Sequence, residues 1–302
     1  MSSENRRQVR PVVSLVVPAH NEERVIARLL SALLDDAEPG ELDITVVANG
    51  CADGTASVAA RFDGVRVLET PIPSKAKALR LGDGAAIGFP RLYVDADVIL
   101  SAADVRALAR ALESPGLLAA GPVRELPMDE VARSVRWYYE VWQRLPSVRE
   151  ELFGRGVIAV SEDGRSRLGD LPEVMSDDLT MAMAFRANER AVVIDARVVI
   201  WPARTYRDLL RRRVRAMTGN AQLADAGSRT SDLGVTTRLA PRTGLADLLR
   251  IAAAEPRLAP KIALFAGTAV LSRYRASWAA RRGDHNTWLR DESSRASAEL
   301  DG

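Results

Sequence analysis

Cysteine occurs once in this 302-residue chain, at Cys51, histidine twice, at His20 and His285, and lysine only at Lys75, Lys77 and Lys261. One cysteine excludes an intrachain disulfide, and with it the stapled architecture of small secreted domains. Two histidines so far apart supply no short-spaced histidine pair for a metal, and His20 reads as a loop residue. A dominant charge is missing too: 42 Lys+Arg against 40 Asp+Glu leave a net charge of +2. No global field therefore attracts nucleic acid, and no nucleic-acid partner is expected. Long apolar runs are absent as well. The most apolar late stretch, Ile262 to Leu271, is about half of the ~20 residues that a membrane span needs. The first residues carry Arg6, Arg7 and Arg10 without an apolar core. They are expected as a flexible arm over 1–11, not a signal peptide, and the chain is expected to be cytoplasmic.

What is present belongs to a soluble globular protein: 47% hydrophobic and 27% charged residues, enough for one large α/β domain or two smaller ones. The arginine excess over lysine hints at a GC-rich coding genome and carries no structural weight. No internal repeat is visible.

The first hundred residues alternate two patterns. Val12 to Val17 is a β-branched run ending at Pro18, as in a parallel strand buried on both faces. After Asn21, a candidate N-cap, Glu22 to Leu34 places Val25, Ile26, Leu29, Leu30, Leu33 and Leu34 at helical spacing. Leu42 to Val47 repeats the strand, Asp53 can cap a helix through Phe62, and Val65 to Leu68 is a third strand. A helix over Lys75 to Ile87 and a fourth strand over Arg91 to Val94 follow. This alternation predicts a mostly parallel sheet with helices on both faces.

Beyond residue 101 the pattern loosens. Ala102 to Leu112 and Asp129 to Arg144 read as helices, the second bearing Trp137, Tyr138, Tyr139 and Trp142, and Leu117 to Val123 as a strand. Phe153-Gly154-Arg155-Gly156 leads into an apolar run, Val157 to Val160. Ser176-Asp177-Asp178 opens a helix to Phe185, and two short strands cover Val192 to Ile194 and Val198 to Trp201. Thr205 begins a long arginine-rich helix, a loop is expected from Ala224, and helix returns over Leu245 to Ala280.

Right-handed crossovers bring strand C-terminal ends to one edge of such a sheet, where ligands bind. Three polar clusters lie at those ends: Ala19 to Glu23, Asn49 to Thr55, and Asp95-Ala96-Asp97. In an extended backbone Asp95 and Asp97 point the same way and can present oxygens to one hard cation. A solvated turn produces the same Asp-x-Asp by chance, and it is the company of the other two clusters that favours a site.

Taken together, Val16-Val17-Pro18-Ala19-His20-Asn21-Glu22-Glu23, Val46 to Thr55, the lysine-headed helix Lys75 to Gly82 and Tyr93-Val94-Asp95-Ala96-Asp97-Val98 resemble the GT-A type family 2 glycosyltransferases. The resemblance runs in order over roughly residues 12 to 220. It implies a GT-A domain over 12–223, with a nucleotide-binding half at 12–100 and an acceptor and catalytic half at 101–223. Residues 224–302 then form a loop, C-terminal helices and a polar tail. The implied activity is metal-dependent, inverting transfer of a sugar from a nucleotide diphosphate donor, UDP-sugar favoured. The acceptor is left open among a natural-product aglycone, a polyprenyl phosphate and a glycan intermediate.

Carried over by position, the resemblance implies that Pro18, Ala19 and Glu22 line the base and ribose. Asn49 stands at the base where the family often has aspartate, which puts uridine preference in question. Lys75 reaches the donor, Asp97 holds Mn²⁺ or Mg²⁺ against the diphosphate, and Asp95 contacts the ribose or the metal. Asp178 is the implied base, supported by Asp177. Arg212 and Arg215, the remnant of a motif lacking its usual glutamine and tryptophan, are implied to close over the diphosphate. Three alternatives stay open: a retaining transferase on the same architecture, a sugar-phosphate nucleotidyltransferase, and a degenerate donor-binding or membrane-associated scaffold. Ile262 to Leu271 is expected as a buried helix; a peripheral contact with an anionic inner membrane face is the other reading.

Overall fold

The computed structural model describes residues 13–169, 181, 184–229 and 244–281. The base motif Ser176-Asp177-Asp178, the N-terminal arm and His285 lie outside them. The described residues build one eight-stranded sheet: β1 (Val13–Ala19), β2 (Leu42–Asn49), β3 (Val65–Thr70), β4 (Arg91–Val94), β5 (Val98–Ile99), β6 (Ala119–Glu125), β7 (Val157–Val160) and β8 (Arg190–Ile200). Their order is β3-β2-β1-β4-β7-β6-β8-β5.

The first four strands are parallel, as the alternation predicts. Every β1 residue is buried, which is why its sequence runs apolar without alternating. Between them run α1 (Ile26–Leu34), α2 (Thr55–Ala59) and α3 (Lys75–Ala85). Helix α1 starts at Ile26, not at Glu22, and its N-cap is Val25 with no side-chain cap. Asn21 does not cap it: the residue adopts a left-handed φ of 51° and turns its amide toward the neighbouring loop. Ile26, Leu29, Leu30 and Leu33 are buried, each contributing about 1.5–3 kcal/mol by removal from water.

The second half departs from simple alternation. Strand β7 inserts antiparallel between β4 and β6, and β5 pairs antiparallel with β8. The two short strands expected near residues 192–201 are one 11-residue strand, β8, whose pairing with β6 is interrupted between Pro122 and Val123. The interruption leaves Asp195 between two paired stretches, which the apolar pattern alone reads as a loop.

Helix α4 (Ala102–Ala111) starts at a capping box between Ser101 and Asp104. Helices α5 (Arg133–Trp142), α6 (Pro146–Glu150) and α7 (Glu162–Leu168) follow. Next come α8 (Tyr206–Arg229), which continues past the expected loop start at Ala224, α9 (Leu245–Ala254) and α10 (Ala259–Arg281). The helix expected over 245–280 is broken by a 3-10 turn at Pro256–Leu258, because proline lacks the N–H an uninterrupted helix needs.

Three apolar clusters result. One joins α1 and α4 to the sheet, a second joins Leu79 of α3 and Leu168 of α7 to Tyr93 and Ile158, and a third unites α5, α8 and α10. The C-terminal helix is thus packed against the domain: Phe265 stacks on Tyr138 at 4.8 Å between centroids, and Lys261 meets Glu140 at 2.7 Å. Its opposite face leaves Val270, Tyr274 and Trp278 exposed. Among the described residues no helix is long and apolar enough to cross a membrane.

Candidate active site

The loops that leave β1 and β2 are stitched to each other. Nδ1 of His20 lies 2.6 Å from the Asn49 carbonyl oxygen, and because a carbonyl only accepts, that nitrogen carries the proton. The Asn21 carboxamide oxygen accepts from the Ala52 N–H at 2.7 Å, and the Glu22 N–H donates to Thr55 Oγ1 at 2.8 Å. Glu23 accepts from the Gly54 N–H through Oε2 at 3.0 Å. His20, Asn21 and Glu23 therefore shape two loops at the carboxyl edge, and Glu23 is a loop tie in place of a helix first-turn charge.

Asn49 is 3% exposed, and its amide donates to the Ala19 carbonyl at 2.8 Å. Buried polar groups need such partners, so this contact explains an asparagine at the buried end of β2. Glu22 is also buried and Ala19 fully so, while Pro18 lines an open crevice beside β4.

That crevice is bounded by Pro18, Lys75, Tyr93, Asp95, Leu152 and Gly156. Lys75, in the first turn of α3, donates from Nζ to Asp95 Oδ1 at 2.7 Å. The Asp95 N–H is held by the Gly156 carbonyl at 2.7 Å, which ties the end of β4 to the start of β7. Ala96 and Asp97 form a turn between β4 and β5, so the extended alternation expected for the two aspartates does not arrange them. Asp95 faces Lys75, and Asp97 lies close enough to Arg28 to favour its charged form.

Arg28 is a functional candidate that sequence reasoning missed. Its guanidinium carbon sits 3.6 Å from the centroid of a Trp201 ring, and burial, outweighing the pull of Asp97, lowers its pKa. No local signal separates this arginine from any other on an amphipathic helix. Asp83 is another: it accepts from Arg91 at 2.7 Å, Tyr93 Oη at 2.8 Å and Arg165 Nε at 2.6 Å, fastening α3 to β4 and α7 beneath the crevice. Burial pushes the Tyr93 phenol well above its usual range, reinforced by Asp83.

Arg212 and Arg215 do not line this crevice. Arg212 donates to the Trp201 carbonyl at 3.0 Å and borders a second cavity, while Arg215 is exposed. The implied base Asp178 and its neighbour Asp177 lie outside the described residues.

A parallel half sheet, an Asp-x-Asp turn at its edge and an antiparallel strand inserted beside it define the GT-A class of α/β proteins. Residues 14–160 match Glycosyl transferase family 2, and the chain carries a domain of that family. A mannosyltransferase from Pyrobaculum calidifontis, solved with GDP-Man and Mn²⁺, shares the fold with a TM-score of 0.57 and 21% identity, over 96% of this chain and 86% of that one. Glucosyl-3-phosphoglycerate synthase from Mycobacterium tuberculosis, solved with phosphoglyceric acid, matches with a TM-score of 0.51 and 20% identity, over 71% and 79%. No curated protein sequence matches the chain.

Proposed function

We propose that the protein transfers a sugar from a nucleotide diphosphate donor to a hydroxyl acceptor, with inversion at the anomeric carbon and dependence on Mn²⁺ or Mg²⁺. The observation that carries this reading is the meeting of Lys75 with Asp95 at the edge where the Pro18 loop and the Asp-x-Asp turn converge. The GDP-Man and Mn²⁺ held by the fold neighbour that spans nearly all of this chain support it. The donor base is proposed as uracil, with Pro18, Ala19, Glu22 and Asn49 around base and ribose.

The residues fit a hard divalent ion. Asp95 and Asp97 offer only carboxylate oxygens, the chemistry Mg²⁺ and Mn²⁺ prefer. Among the described residues no group of three His, Cys, Asp or Glu side chains is placed to hold a metal; Asp95 and Asp97 would hold such an ion together with oxygens of the donor's diphosphate. When bound, it neutralises negative charge gathering on the leaving diphosphate. Lys75 adds a second positive group at the same edge, half-exposed and joined to Asp95. Asp178, supported by Asp177, takes the proton from the acceptor hydroxyl as its oxygen bonds to the anomeric carbon. Exposed Val270 and Tyr274, with Arg273 and Arg275 beside them, suit peripheral contact with an anionic membrane face for a protein working in the cytoplasm.

Thermal shift with UDP and GDP, each with and without Mn²⁺, tests the donor site, because selective binding to the folded state raises its stability. A shift that needs both nucleotide and Mn²⁺ and disappears in Asp97→Ala is expected; no shift with either nucleotide overturns the reading. NMR of the product's anomeric configuration separates inversion from retention.

A further inference from the structure

Between α5 and β7 the chain passes through α6 and an irregular stretch, Glu151 to Gly156, before it re-enters the sheet. A helix leaves the carbonyls of its last turn without intrahelical donors, and irregular backbone adds more of them. Two guanidinium groups supply the donors here. Arg155 gives Nε to the Glu151 carbonyl at 2.8 Å, Nη1 to that of Pro122 at 2.7 Å, and Nη2 to those of Val148 and Arg149 at 3.2 and 2.9 Å. Arg124, near the end of β6, gives Nη1 to the Val148 carbonyl and Nη2 to that of Phe153, both at 2.7 Å, and Nε to that of Gly154 at 2.9 Å.

Arg155 is only 2% exposed. Burial lowers its pKa to about 10 while Glu151 opposes the shift, so the side chain stays charged at neutral pH and carbonyl dipoles meet its charge. Glu151 itself is bound by Arg190 at 2.7 Å. Gly121 of β6 leaves the room that the Arg155 stem fills: a Cβ there would meet Arg155 Cδ and Leu152 Cδ2, each at 3.1 Å. Apolar residues of similar volume often replace a buried charge without loss of stability, so cohesion alone does not call for an arginine here. Holding one backbone conformation does. Gly154 and Gly156 both have left-handed φ, +64° and +66°, and glycine leaves the chain freest to move; the two arginines grip it on the near side of Gly156.

The far end of the stretch reaches the candidate site. Leu152 and Gly156 line the donor crevice, and the Gly156 carbonyl accepts the Asp95 N–H at 2.7 Å. We infer that Arg155 and Arg124 are positioning residues for the nucleotide and metal site: by fixing the carbonyls of residues 148–154 they set the place of the Gly156 carbonyl, which holds Asp95 and the turn that carries Asp97. Neither arginine borders the crevice itself, so the action runs through the main chain. Its bearing on nucleotide and metal rests on the glycosyltransferase reading above, whereas the hold on Asp95 does not.

Hydrogen exchange of the Asp95 amide, followed by NMR in the full chain without nucleotide or metal, reads that hold directly. In Arg155→Lys and in Arg124→Gln, protection at Asp95 is expected to fall about tenfold relative to amides of β1 and β2. Lysine keeps the charge of Arg155 but lacks the fork that meets several carbonyls at once, and glutamine removes both from Arg124. UDP with Mn²⁺, titrated calorimetrically, should bind each variant about tenfold more weakly, as when a supporting group of a metal site is lost. The EPR spectrum of the bound Mn²⁺ should change as well, a signature that lowered stability alone does not move. Arg144→Met is the comparison. It breaks the ion pair with Glu255 at 2.6 Å and should lower the melting temperature while leaving the relative protection of Asp95 and the affinity for UDP with Mn²⁺ as in the unmodified protein.

Unchanged relative protection at Asp95 in both variants overturns the positioning role at its first step. Lowered protection with the same nucleotide affinity and the same Mn²⁺ spectrum refutes its bearing on the donor site. Should Arg155→Lys fail to fold, Arg124→Gln decides by the same readings, since Arg124 is only part-buried. An unmodified protein that binds no UDP with Mn²⁺ would sink the donor reading while the exchange result at Asp95 stood, so the two failures are distinguishable.

Discussion

The Lys75 ammonium lies 2.7 Å from Asp95 Oδ1, joining the first turn of α3 to the turn that follows β4. The two residues are 20 positions apart in the chain, and both side chains are more than a third exposed. An ion pair so open to water contributes at most about 1 kcal/mol to stability. Its value lies in holding a cation at the crevice edge.

Lys75→Met should therefore separate binding from folding. The melting temperature is expected to move by only a few degrees, while the affinity for UDP with Mn²⁺ falls by about tenfold through loss of a charged contact to phosphate. Calorimetric titration of both proteins measures this, and unchanged affinity would remove Lys75 from the donor site.

Arg28→Met acts in the opposite direction. The aliphatic replacement keeps cover over Trp201 but removes a positive charge near Asp97, which would compete electrostatically with the proposed divalent ion. Manganese affinity, measured in the presence of UDP, is expected to tighten by about threefold. Weaker binding would mean that Arg28 contacts the donor itself.

Gly156 has a φ of +66°, and a Cβ there would sit 2.6 Å from Val98 Cγ1 and 3.5 Å from Asp95 Oδ2. Gly156→Ala should cost about 2 kcal/mol from overpacking and backbone strain and displace the Asp95 turn, weakening nucleotide binding. Gly154 also has a positive φ but faces open space, so Gly154→Ala carries only the backbone cost. Denaturant melts of the two variants give the comparison, and equal losses would show that the contact with Val98 is relieved.

Asp83 links stability to pH. Burial alone would raise its pKa, but hydrogen bonds from Arg165, Arg91 and Tyr93 outweigh it and hold the carboxyl below its ordinary value. A depressed folded pKa means that the stabilisation is present above the unfolded value near 3.9 and is lost as pH falls through the folded one. Asp83→Asn should cost on the order of 3 kcal/mol at pH 7, since it strands Arg91 in a side-chain environment only 8% exposed. It should also flatten the acid limb of the stability curve. Urea melts between pH 3 and 7 check both, and parallel acid limbs in the two proteins would contradict the assignment.

Much of the parallel half of the sheet was legible because its signals are local. Apolar runs such as Leu42 to Val47 are buried strands whatever lies beside them, and Ile26, Leu29, Leu30 and Leu33 mark one helix face by spacing alone. Asn21 misled because a cap and a left-handed turn use the same residue type, and only the neighbouring loop decides between them. The aspartate turn misled similarly: two carboxylates at i and i+2 look extended until the chain bends back into β5.

The sequence by itself determined the strand and helix alternation up to β4 and the polar clusters at the strand ends, since burial pattern and turn chemistry act within a few residues of chain. Tertiary structure alone decided the antiparallel insertion of β7 between β4 and β6, the seating of Arg28 on Trp201 and the hold of Arg124 on the carbonyls of Val148, Phe153 and Gly154. Those contacts join segments tens of residues apart, and their partners are chosen by how packed faces meet, which no local window of sequence records.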